Sequence, residues 1–159
     1  MEKIGLKNEN ILRLEIVDEK GNDTGEYIEF DLEDIELPFK YQEIIERIKK
    51  SKQKLKNQFN IIEKKQDHKG KKLMSSNEEL KLKALTDFYK EQEEIYDMFL
   101  GKNGVRKLLN GRNLRWTTLK EIDELIEKQI APKLDITMDK ITKKIKEKYS
   151  SEKEENVLE

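Results

Sequence analysis

The chain has no cysteine, one histidine, one tryptophan and two prolines among its 159 residues. Without cysteine there is no disulfide framework and no thiolate metal site, a composition that suits a reducing compartment. With a single histidine, His68, a Ser-His-Asp triad is arithmetically possible but a multi-histidine metal site is not. No apolar run exceeds three residues, so neither a transmembrane helix nor the apolar region of a signal peptide is expected. The glycine-rich dinucleotide fingerprint, the Walker loop and the HExxH zinc motif are missing as well. The expectation is a non-enzyme with no catalytic, cofactor-binding or metal-binding residues.

What the chain does contain is charge. Charged residues make up 42% of it and hydrophobic ones 35%, a balance that raises the question of disorder. Two counts answer it. Leu, Ile, Val and Phe number 43 together, 27% of the chain, above the roughly 20% that marks disordered sequences. The 33 basic and 34 acidic residues nearly cancel, leaving a formal charge of −1 and little self-repulsion. The chain can fold, around a lean core.

The charges are segregated. Residues 1–39 hold 4 basic and 12 acidic residues, whereas residues 40–72 hold 12 basic and 4 acidic. The balance is then −4 over 73–100, +6 over 101–149 and −3 over 150–159. Blocks of alternating sign favour docking between segments or between copies of the chain; the plainer reading is a set of solvated helix faces. Self-association that weakens with salt is expected.

Periodicity divides the chain into an N-terminal β-hairpin over 1–36, a helical domain over 37–149 and a disordered acidic tail over 150–159. Leu12, Leu14 and Ile16 alternate with Arg13 and Glu15, the period of a half-buried strand. Turn residues fill Asp18 to Gly25, and the second strand, Glu26 to Leu32, carries Ile28, Phe30 and Leu32 on one face. A two-stranded hairpin is marginal alone, so it must pack on a helix or be completed by another chain. The fold class is therefore mainly α (α+β), with the hairpin followed by a bundle of four to five helices, one of them long.

Pro38 suits a first helical turn. Tyr41, Ile44, Ile45, Ile48, Leu55, Phe59 and Ile62 then mark one face of a helix to about residue 66, interrupted at Ser51 and Lys52. At about 40 Å it is long for this domain and is expected to project or to pair with a partner. The basic linker Asp67 to Lys72 lacks nearby aromatics to stack on bases and reads as a solvated loop, with His68 at the surface. Ser76 and Glu79 have capping-box spacing. Phe88, Ile95 and Phe99 follow on a helix that Gly101 closes. The acidic run Glu91, Glu93, Glu94 and Asp97 invites an acid/base reading, but no nucleophile or histidine stands close to it in sequence.

Asn103 caps a short helix that Asn110 and Gly111 stop. Thr118 and Glu121 repeat the capping-box spacing, and Pro132 ends or kinks the helix that follows. Leu134, Met138, Ile141, Ile145 and Tyr149 give a last amphipathic helix. The expected core comprises Phe88, Ile95, Phe99, Val105, Leu108, Ile122 and Leu125. Trp116 either closes that core or anchors a partner, and the core is the preferred place.

This arrangement resembles the tail assembly chaperones of long-tailed bacteriophages or prophages of Gram-positive bacteria. The stretches that carry the likeness are Met98-Phe99-Leu100-Gly101, Val105 to Gly111, Leu119 to Pro132 and Lys146-Glu147-Lys148-Tyr149, with Phe30-Asp31-Leu32 after the hairpin. The basic helix 40–66 is extended relative to that pattern. The resemblance implies a protein that binds the tape-measure protein, keeps it soluble, helps recruit major tail-tube protein subunits, acts in the host cytoplasm and is absent from the mature virion. Helix-in-groove binding would be the mode. The alternative is a nucleic-acid-binding regulatory protein of a phage or mobile element, built on the basic block 40–72 and on Arg106, Lys107, Arg112 and Arg115. The net charge and a pI near 6.1 count against it.

Overall fold

A computed structural model of the chain describes residues 1–6 and 10–158, with side-chain environments through Lys148. Two antiparallel strands, β1 (Ile11–Val17) and β2 (Asp23–Asp31), precede α1 (Leu37–Glu63), α2 (Ser76–Leu100), α3 (Gly104–Leu109), α4 (Trp116–Leu125) and α5 (Ala131–Leu158). A π turn, Ile126–Ile130, joins α4 to α5 without a break, so the described residues form four separate helical runs.

The hairpin closes through Asp18, whose carboxylate accepts hydrogen bonds from the backbone N–H of Lys20 and of Asn22, each at 2.9 Å. Gly21, at φ +84°, supplies the left-handed step. Leu12 pairs with Phe30 and Leu14 with Ile28, and a register shift follows between Glu15 and Val17. That register puts the apolar sets of both strands on one face, where Ile16, Ile28 and Phe30 are buried. The hairpin is completed within the chain. Phe30 packs on Phe99 of α2 with ring centroids 5.1 Å apart, so hairpin and helices share one core.

Helix α1 carries Pro38 in its first turn and is as long as its apolar spacing predicts. It does not stand alone, because α2 runs antiparallel along it. Lys54 pairs with Glu91 at 3.8 Å and Glu63 with Lys81 at 3.1 Å. The expected projection is thus replaced by an intramolecular helix pair.

Both capping boxes need correction. The cap of α2 is Ser75, not Ser76: its hydroxyl accepts from the N–H of Glu78 at 3.1 Å. The Ser76 hydroxyl instead accepts from the N–H of His68. Asp67 accepts from the N–H of Asn77 and of His68, and these bonds, that of Asn77 foremost, hold its carboxyl below its ordinary pKa. Ser75→Ala is expected to cost about 1 kcal/mol, and Ser76→Ala less, as read from urea midpoints. The reverse order would return the cap to Ser76. In α4, Thr118 is the third helical residue rather than the cap. Its hydroxyl accepts from the N–H of Arg115 at 2.8 Å, so the helix begins at Trp116.

Gly101 ends α2 at φ +95°, as its position predicts. Asn103 holds the cap position of α3 in a left-handed conformation, but its side chain makes no cap bond. Asp97 of α2 takes that part, accepting from the N–H of Val105 at 2.9 Å. Pro132 does not terminate the helix. The chain widens into the π turn just before it, with the N–H of Ala131 bonded to the carbonyl of Ile126, and the widened turn accommodates the ring and missing N–H of Pro132. The backbone of α5 stays helical to Leu158, where the sequence suggested an unstructured tail from residue 150.

The seven expected core residues all join one cluster, with Leu108 and Leu125 only partly buried. Trp116 does not join it. The indole is 59% exposed, which corrects its preferred placement in the core.

Candidate interaction surfaces

The side chains that sequence singled out for chemistry are engaged in structure. Glu93 holds Arg106 through two oxygens, at 2.6 and 3.1 Å, and Glu91 holds Lys54. Asp97 caps α3; burial raises its pKa, and the bond from Val105 opposes that rise. Glu94 is exposed. No group of three or more potential metal ligands occurs among the described residues. His68 lies exposed in the loop between α1 and α2, as expected. Tyr96, buried in α2, donates its hydroxyl proton to Asp123 of α4, and burial followed by that carboxylate raises the phenol pKa.

Three of the four cations around α3 that were proposed for nucleic acid are committed as well. Arg106 is held by Glu93, Lys107 lies 3.9 Å from Glu26, and Arg112 lies 3.4 Å from Glu19 and 3.7 Å from Glu121. Three pairs join charge blocks of opposite sign: Lys107–Glu26 and Arg112–Glu19 join segment 1–39 to 101–149, and Lys54–Glu91 joins 40–72 to 73–100. The partners are solvent-exposed to a large degree, so each pair is worth at most about 1 kcal/mol.

Two of the concave surfaces among the described residues bear on binding. A cavity of about 540 Å³ separates β1 from α4; Leu14, Ile16, Leu109 and Ile122 line its floor, and Arg112 and Glu121 stand among its polar residues. A second hollow, about 340 Å³, opens on the side of the α1–α2 pair. Leu55, Phe59 and Phe88 form its apolar lining, Lys52 and Lys56 contribute charge, and Trp116 reaches it from the start of α4. Sequence reasoning did not find this surface. It depends on α4 starting at residue 116, which places the indole outside the core and beside Phe59.

No helix among the described residues is long and apolar enough to cross a membrane. Comparison of the chain with protein-family models, with curated proteins and with solved structures finds no match.

Proposed function

We propose that the chain is a phage tail assembly chaperone that binds the tape-measure protein, keeps it soluble and helps recruit tail-tube subunits. On this reading it acts in the host cytoplasm and is absent from the finished virion. The observation that carries the binding reading is the exposed Trp116 beside the hollow of Leu55, Phe59 and Phe88, rimmed by lysines. An exposed indole next to an apolar trough suits an amphipathic helix laid into it, with an aromatic anchor at one end. Lys52 and Lys56 favour a helix whose flanks are acidic. The resemblance drawn from the sequence supplies the partner: a very long helical chain with apolar stretches that must be shielded until the tail tube encloses it.

Co-expression with the tape-measure chain tests the reading. The intact protein should hold that chain in the soluble fraction. Trp116→Ala should lose most of this protection while its thermal midpoint stays close to that of the parent, because the indole contributes little to the core. An unchanged yield of soluble tape-measure chain with Trp116→Ala would remove this surface from the binding reading. No protection by the parent protein would remove the reading itself.

A further inference from the structure

The helices cover one face of the hairpin and leave one of its edges open. Ile28 and Phe30 of β2 are buried, whereas Leu14 and Leu12, their partners across the ladder, are only half-buried. β1 is thus the overhanging strand. Five consecutive residues of it, 13–17, line the cavity that separates it from α4. Side chains alternate between the faces of a strand, so an unbroken run borders the cavity along the edge of β1. The N–H of Leu32 bonds to the carbonyl of Asn10 at 2.9 Å, in register with the ladder. Bonded pairs alternate along an antiparallel ladder. Leu12 and Leu14 therefore turn their backbone groups toward β2, and Ile11, Arg13 and Glu15 turn theirs to the open edge. Among the described residues no third strand takes them up. β1 carries neither proline nor lysine, which commonly guard such an edge, and its one irregularity lies beyond Glu15.

The sequence of that edge is its own complement. Turned antiparallel on itself about Leu14, the strand sets Arg13 against Glu15 of a second copy and Glu15 against Arg13. These are the residues whose backbone groups point outward, so the same register joins both charges and main chains. On the inner face Leu14 meets Leu14 and Leu12 meets Ile16, beside the apolar floor of the cavity. On the outer face the exposed Ile11 and Val17 meet each other. Other registers are worse. A shift by two residues sets Arg13 against Arg13 in one direction and Glu15 against Glu15 in the other. A slip by one turns the inner set outward, and a parallel pair in step aligns like charges.

We propose that β1 pairs antiparallel with β1 of a second copy of this chain, centred on Leu14, so that two hairpins form one continuous sheet. Its strand order is β2-β1-β1-β2. The interface is isologous, each copy offering the same edge, and so closes at two copies. It gives a surface to the self-association expected from the sequence and does not depend on the chaperone reading.

Cross-linking tests the register, because the chain has no cysteine of its own. Leu14→Cys puts one thiol on the symmetry axis, opposite its twin in the closer of the two cross-strand spacings. Mild oxidation of that full-length variant should give a disulfide-linked dimer. Leu12→Cys should not link, since its twin lies four residues along the strand, about 13 Å away. No linkage through Leu14→Cys, or equal linkage through both variants, overturns the pairing. Sedimentation tests the charges on the solvent face. The parent should be a dimer, and R13E and E15R should each weaken it about 10-fold, since two attractive pairs become repulsive. Mixing the two variants should restore a heterodimer, because each new charge then meets its opposite. The double variant R13E/E15R also loses the bond from Arg13 to Glu29 within the chain, yet it should dimerise like the parent, which separates folding from pairing. A monomeric parent, or a dimer untouched by E15R, overturns the pairing. If the parent is monomeric and E15R no longer protects the tape-measure chain, the edge belongs to that partner and the pairing is likewise overturned. A dimeric parent that fails to protect that chain leaves the pairing standing and removes the chaperone reading.

Discussion

Phe99→Ala is expected to remove about 3–5 kcal/mol of folding stability, a large share of the roughly 5–15 kcal/mol that holds a domain of this kind together. Phe99 is 4% exposed and sits where three elements meet. Its ring lies 5.1 Å from Phe30 of the hairpin and 5.7 Å from Tyr41 of α1, while its backbone belongs to the last turn of α2. Truncation therefore leaves a cavity bounded by separate elements, which cannot collapse by moving one side chain. The hairpin, which sets Phe30 against this ring, should loosen first. Urea denaturation followed by circular dichroism reads the loss, and a midpoint shift worth less than about 1 kcal/mol would mean that the three elements are held together elsewhere.

Gln92→Leu should act in the opposite direction, raising stability by about 1–3 kcal/mol. Gln92 is fully buried on α2, between Phe88 and Tyr96, and neither atom of its amide finds a hydrogen-bond partner. The same is true of the Ser51 hydroxyl on α1, which is 3% exposed. The Lys54–Glu91 and Glu63–Lys81 pairs fix the antiparallel register and bring Ser51 within about a turn of Gln92 along the facing helix. Two polar groups thus meet in the middle of an otherwise apolar seam. Leucine is close to glutamine in volume and removes the cost of desolvating the amide. A lower midpoint for Gln92→Leu in chemical denaturation would show that the amide is satisfied in solution.

The interruption at Ser51 was visible in the sequence, but its meaning was not. Spacing alone shows that an apolar position is missing; only the facing helix reveals that a second polar residue lies near it. The same limit recurs along the chain. The hairpin was legible because alternation at Leu12, Leu14 and Ile16 matches alternation at Ile28 and Phe30, and both sets need one common face. Cap positions were ambiguous at Ser75-Ser76-Asn77-Glu78-Glu79, since either serine has a glutamate three residues on. Asp67 and His68 decide it by engaging Ser76. Trp116 was misplaced because Thr118 resembles a cap, which starts the helix three residues late and leaves Trp116 in the segment before it. The length of α1 was read correctly but its purpose was not, because its companion lies beyond a loop. The hollow beside Trp116 draws on three helices, so no local pattern announces it.

The π turn before Pro132 has a consequence for helical phase. An α-helix advances by about 100° per residue, so the row begun by Leu119, Ile122 and Ile126 would continue through Lys133, Thr137, Lys140 and Lys144 if the winding were regular. Those residues are polar. The wider turn takes up one residue without advancing the helix by the usual angle, and the row resumes one position later, at Leu134, Met138, Ile141 and Ile145. Two amphipathic segments written one residue out of step are thereby brought into line along a single rod. Deleting one residue from 126–130 would restore even winding and keep the same row in line without the bulge. Tightening the turn while keeping every residue would roll α5 about its axis by roughly 100°, presenting lysines along the line that its apolar side chains now occupy.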